Sequence, residues 1–166
     1  MSLVLWTFAC LAYAAPKSEA AKVRSIIDKV NNSWQTRHKP EATPFWHVAA
    51  YHTGNMEAYR LTGNKKYLDY SMAWAEHNKW RGATSNDRSK WKYNYGETQE
   101  HVLFGDWQIC FQTYLDMYEM NPDPYKIERA KEVMGYMVNS KENDYWWWAD
   151  ALYMVMPVFT KLYKAT

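Results

Sequence analysis

Apolar positions along the chain fall into six stretches of helical length, separated by polar or proline-bearing breaks. Val23, Ile26, Ile27, Val30 and Trp34 recur at helical spacing, with Lys22, Arg24, Asp28 and Lys29 opposite, and Pro40 and Pro44 end that helix. The pattern predicts further helices over 45–62, 65–80, 101–120, 124–139 and 147–166, the second stopped by Gly63-Asn64 and the fourth by Asn121-Pro122. The first, third and fifth are amphipathic. The fifth sets Ile127, Ala130, Met134 and Met137 against Lys126, Glu128, Arg129 and Glu132. The second, fourth and sixth are apolar nearly all round, as in Trp46-His47-Val48-Ala49-Ala50-Tyr51 and Ala151-Leu152-Tyr153-Met154-Val155-Met156. Helices of that kind must be enclosed by others.

An exposed helix followed by an enclosed one, three times over, is the pattern of a toroid of helical hairpins with an outer and an inner ring. A weak repeat agrees with it: Tyr59 to Tyr67 joins one inner helix to the next outer one, Tyr118 to Tyr125 does the same, and Tyr163-Lys164-Ala165-Thr166 begins a third copy. The expected fold class is therefore all-α, three helical hairpins forming part of an (α/α)6 barrel. Residues 16–166 are expected to be the amino-terminal half of that barrel; a complete six-helix domain is the alternative.

Composition narrows the function. The chain has 166 residues and a formal charge of +2, with no basic excess to replace phosphate counterions, so nucleic acid is not an expected partner. Ten Trp, 14 Tyr and 5 Phe make 17% of it aromatic. Leu3 to Ala15 is apolar and ends in Ala12-Tyr13-Ala14, the small-x-small form cut by signal peptidase. Residues 1–15 thus read as a signal peptide and the protein as secreted or periplasmic, a buried first helix being the alternative. The segment falls short of the about 20 residues needed to span a bilayer, so no membrane association is expected. Cys10 lies within it, which leaves Cys110 alone and excludes a disulfide framework or a cysteine metal cluster. No cofactor or metal is expected, and the oligomeric state is left open.

Polar residues interrupt the enclosed helices. Asp106 follows Phe104-Gly105, with Gln112 six residues on; Asp150 lies in Trp146-Trp147-Trp148-Ala149-Asp150-Ala151-Leu152; His52, Thr53 and Asn55 break the second helix. An unpaired buried carboxylate costs several kcal/mol, so such a group is paired, protonated or catalytic. These residues lie towards the amino-terminal halves of their helices, and in a ring they converge on one mouth. Trp146, Trp147, Trp148 and Tyr153 are expected to give Asp150 a dry pocket that raises its pKa to suit a proton donor. An Asp in the first turn of a helix is alternatively a cap. Glu97, Glu100, Asp116 and Glu128 read as solvated. No Ser-His-Asp set, phosphate loop or zinc spacing is present, and aromatic rings around carboxylates suit a sugar.

At these residues the chain resembles the unsaturated glucuronyl and rhamnogalacturonyl hydrolases of glycoside hydrolase families 88 and 105. The similar segments are Asp144-Tyr145-Trp146-Trp147-Trp148-Ala149-Asp150-Ala151-Leu152-Tyr153-Met154 with Met156-Pro157, then Trp46 to Asn55, and Gly105-Asp106-Trp107-Gln108 with Gln112-Thr113-Tyr114. The resemblance implies an (α/α)6 barrel about twice this length and an oligosaccharide substrate whose terminal uronic acid carries a C4=C5 double bond. It implies Asp150 as the residue that protonates C4 and activates water for C5. Asp106 would contact the sugar hydroxyls, and Trp46, His52, Gln112 and Trp148 would bind substrate. Trp107 departs from the Asp-Asp pair common at this motif. Half a barrel is expected to leave Asp150 without its dry pocket, and so without turnover. The rival readings are an inactive truncated fragment and a non-catalytic carbohydrate-binding module that stacks sugars on Trp91, Tyr93, Tyr95 and Trp148.

Overall fold

Local capping signals set most of the helix boundaries. In the computed structural model, which describes residues 18–166, the Ser18 hydroxyl accepts from the Ala21 N–H and opens α1 (Glu19–Arg37). The predicted signal peptide at 1–15 lies outside the described residues. α2 (Trp46–Thr62) ends at Gly63, whose φ of 70° places it in the left-handed region that glycine enters without strain. Asn64 then caps α3 (Lys65–His77) by accepting from Lys66. α4 (Gly105–Gln108) and α5 (Cys110–Met120) run on through one tight step at Ile109, where the Gln112 N–H reaches only three residues back. α6 (Glu128–Val138) follows a short 3-10 turn begun by Pro124, and α7 (Asp150–Ala165) closes the described chain.

The described residues are all helical and turn, with no strand, and form three hairpins of an α/α toroid. α2, α5 and α7 are the inner helices. α5 packs against both α2 and α7, while α1, α3 and α6 flank them outside. Burial follows this order. Every residue from His101 to Met117 is buried, because α5 has an inner neighbour on each side. α2 and α7 each touch α5 on one side, so Leu61, Leu152 and Met156 remain exposed where enclosure all round was expected. α1 also departs from its pattern: Val23, Ile26 and Val30 are exposed, Ile26 and Val30 along a groove shared with Ala50, Gly54 and Leu61 of α2, and Asn31 is its buried residue.

Three charged residues expected in water lie inside. Asp116 is buried in α5 and pairs through Oδ1 with Arg60 of α2 at 2.7 Å and Lys161 of α7 at 2.6 Å, tying the three inner helices together. Lys126 donates to the Asn121 carbonyl at 2.8 Å and lies over the Trp80 ring. Arg129 donates to the carbonyls of Ala83 and Ser85 at 3.0 and 2.6 Å and pairs with Glu132. These bonds fasten the long segment between α3 and α4 to α6.

Candidate active site

The helix starts of α4 and α7 come together, and each carries one carboxylate. Asp106 is the second residue of α4 and only 6% exposed. Burial first, then the charge of Asp150, then that of Glu97, push its carboxyl up to about 6. Asp150 is the first residue of α7 and lies exposed at its N-terminus, where the helix dipole favours a negative charge. The expected dry pocket does not close around it, since Trp147 and Tyr153 are exposed as well. The enclosed member of the pair, with the raised carboxyl, is Asp106.

Aromatic rings line this pair. Trp148 is half-buried and packs on Phe104 with ring centroids 4.8 Å apart, and Trp147 lies 4.8 Å from Trp148. Gly105 permits that approach: a Cβ there would meet Trp148 and Val155 at 3.3 Å. Phe45, at the start of α2, lies 4.9 Å from the Trp107 ring and brings exposed Trp46 to the same end of the fold. Trp107, the departure from an Asp-Asp pair, has a structural use. Its indole N–H donates to the Gly96 carbonyl at 3.2 Å and anchors the segment that carries Tyr95 and Glu97.

Two expected substrate contacts are committed to the scaffold. His52 is 1% exposed, stacked at 3.9 Å on Trp74, with Nδ1 against the Ser71 hydroxyl at 2.8 Å. Burial drives its pKa down to about 3, so it is a neutral core histidine. Gln112 is buried, and its amide donates to the Tyr153 and Met154 carbonyls at 2.8 and 2.9 Å. Asn55 likewise donates to the Tyr67 carbonyl and Ser71, joining α2 to α3. Trp46 and Trp148 stay accessible; Asp106 and Asp150 are brought together.

The stacking set of the binding-module reading divides too. Trp91 is buried, donates to the Ser85 carbonyl and lies under Arg129. Tyr93 packs edge-on against Tyr145. Tyr95 stays open. Glu97 is solvated, as the sequence suggests, but it also helps raise the Asp106 carboxyl, a neighbour that an exposed carboxylate in a polar segment does not announce. Among the described residues no group of three or more His, Cys, Asp or Glu side chains is placed to hold a metal, and no helix is long and apolar enough to cross a membrane.

Comparison with known proteins places this geometry. The model of Glycosyl Hydrolase Family 88 matches residues 20–166. A solved glycosyl hydrolase family 88 protein from Bacteroides vulgatus superposes with a TM-score of 0.88 at 54% identity, covering 90% of this chain and 43% of that one. A second solved structure, described as a polysaccharide lyase, gives a TM-score of 0.87 at 61% identity, covering 90% of this chain and 42% of that one. The chain thus spans less than half the length of either. No curated protein matches it.

Proposed function

The chain belongs to glycosyl hydrolase family 88, and from that premise we propose that it contributes the acid–base pair of an enzyme acting on unsaturated uronyl oligosaccharides. The observation that carries the proposal is the meeting of Asp106 and Asp150 beside Trp148, where burial and the neighbouring charges raise the Asp106 carboxyl to about 6. In this chemistry a carboxylic acid gives its proton to C4 of the double bond, and water adds at C5 as its own second proton returns to a carboxylate. The resulting hemiketal opens and releases the next sugar. Asp150, exposed at the mouth, meets the double bond by its motif position. The raised pKa of Asp106 favours a second assignment, in which Asp106 holds the donated proton and Asp150 takes the one from water. The apolar leader at 1–15 supports an exported enzyme.

The test follows the ultraviolet absorbance of the conjugated double bond when lyase-digested pectin or glycosaminoglycan is added. It is run on this chain alone and on this chain fused to the remainder of the Bacteroides vulgatus protein. Loss of absorbance in the fusion supports hydration. A rise is the signature of a lyase and overturns it. Sugar binding without any change leaves the binding-module reading.

A further inference from the structure

We propose that two copies of this chain close on one another about a two-fold axis along the lumen, the α1–α2 edge of each seated on the α6–α7 edge of the other. The pair forms a ring of six hairpins. The inference goes beyond the reaction proposed above and does not depend on it. Three consecutive hairpins fill half of such a ring, and this chain superposes on 43% of a family 88 protein. An edge that fits a different edge on a second copy makes a head-to-tail contact, and such contacts close when the rotation per copy divides the circle. Half a turn per copy closes after two.

Both edges are apolar and open. At the first, Ile26 and Val30 of α1 are each 59% exposed, and with Ala50, Gly54 and Leu61 of α2 they line a groove of about 420 Å³. At the second, Val138 of α6 with Phe159 and Tyr163 of α7 lines a crevice of about 340 Å³, and Tyr163 is 85% exposed. Exposed Leu152 and Met156 continue that row towards the start of α7. Single apolar residues are ordinary on a surface. Two rows, each running along an inner helix at one end of the hairpin series, are the mark of an interface.

The rows complement one another. α2 offers small Ala50 and Gly54, and α7 offers larger Leu152, Met156 and Phe159. A Cβ on Gly54 would meet nothing within 4 Å, so the hollow is empty in a single copy. A ridge of large side chains packs into such a groove on a neighbouring helix. The Thr53 and Tyr153 hydroxyls meet at 3.1 Å, which puts these residues at one height on their helices. Rotation about the lumen keeps that height and brings Gly54 of one copy beside Leu152 and Met156 of the other. α2 has 17 residues and α7 has 16, so they run together for about 24 Å. Two such seams, each two helices deep, bury roughly 1,500–2,000 Å², the size of a specific interface. Charge agrees with the pairing, since Glu57 borders the groove and Lys131 the crevice.

Sedimentation of the 166-residue chain tests this. At about 50 μM the wild type is expected to be a dimer with nothing larger, because both edges are used. Gly54→Glu puts a longer side chain into open space and improves helix propensity, so a single copy keeps its fold. Its charge in the seam should weaken the dimer about 10-fold or more. Met156→Lys should do the same from the other edge. Mixing the two variants should restore a dimer, for one seam is then wild type and the other joins opposite charges. Far-ultraviolet spectra that coincide establish that both variants are folded. Fusion to the remainder of the Bacteroides vulgatus protein fills both edges and should give a monomer. A monomeric wild type overturns the proposal, whether residues 1–15 or nothing covers the groove. So do open filaments, a dimer that responds to only one of the two substitutions, and a fusion that still dimerises.

Discussion

Gln112 donates its side-chain amide to the carbonyl oxygen of Tyr153 at 2.8 Å, the oxygen that Pro157 leaves without a helical N–H. A proline inside a helix removes the bond to the carbonyl four residues back. Here α5 supplies the missing donor and satisfies the Met154 carbonyl with the same group. α7 keeps its course, and Asp150 at its start is aimed from α5.

Gln112 and Pro157 should therefore behave as one energetic unit. Gln112→Met, close in volume but without donors, is expected to destabilise the chain by about 1–3 kcal/mol in urea unfolding, the cost of an unsatisfied buried acceptor. Pro157→Ala restores a backbone donor and should relieve part of that loss. A coupling of about 1 kcal/mol is expected in the double-mutant cycle; strictly additive effects would separate the two residues.

Asp106→Asn should stabilise the fold at neutral pH while lowering activity. The folded pKa of about 6 lies above the ordinary carboxylate value, so the wild-type protein bears the cost of a buried charge above pH 6. As the pH falls through 6 the folded state takes up the proton first, and the wild type recovers. The variant should gain on the order of 1–2 kcal/mol at pH 7.5 and lose that advantage by pH 4. Equal melting temperatures across the range would refute the assignment.

Turnover should separate the two carboxylates in the completed barrel. Asp150→Asn is expected to cut turnover by about 10²–10⁴, as for loss of a general acid or base, with sugar binding largely kept. Asp106→Asn should impair both. If Asp106 holds the working proton, activity declines as pH rises through about 6. Glu97→Gln then moves that limb to lower pH, because a repelling charge is gone. An unmoved limb would assign it to another group.

His52 should contribute to acid sensitivity. Its folded pKa of about 3 lies below the ordinary 6.5, so the unfolded chain binds a proton that the folded chain refuses. Stability from this group is complete above pH 6.5 and declines as pH falls towards 3, by about 2 kcal/mol at pH 5. In His52→Gln that slope between pH 6.5 and 3 should flatten; a slope unchanged from wild type would mean that His52 is protonated where it sits.

Arg129→Met is expected to loosen the segment between α3 and α4. The substitution keeps apolar bulk beneath Trp91 but removes the donors to the Ala83 and Ser85 carbonyls. Amide hydrogen exchange over residues 83–97 should accelerate, and stability should decline by about 2–3 kcal/mol. Unchanged protection there would show the segment is held without it.

The hairpin order was legible because it rests on periodicity and on capping residues next to the helices they stop, such as Gly63 and Asn64. What escaped was non-local. The fourth helix was expected from residue 101 but starts at Gly105, since His101 to Phe104 turn back and the Leu103 N–H bonds to the Lys92 carbonyl. α3 ends at His77, before a left-handed pair at Lys79 and Trp80 that neither residue type announces. Asp116, Lys126 and Arg129 were read as solvated because patterning sorts residues by type, and their partners are far away in sequence. At the site, the carboxylate motifs were visible. The difference between enclosed Asp106 and exposed Asp150 was not, for it depends on which helix lies in the middle of the arc.

The segment between α3 and α4 is fastened by Arg129 and Gln99 near its beginning and by Trp107 near its end. Between those fixings Arg88 reaches α6 through Glu132 at 3.0 Å, while residues 94–95 stay on the surface. The exposed tip of the segment is thus a place where residues can change without disturbing the hairpins beneath it.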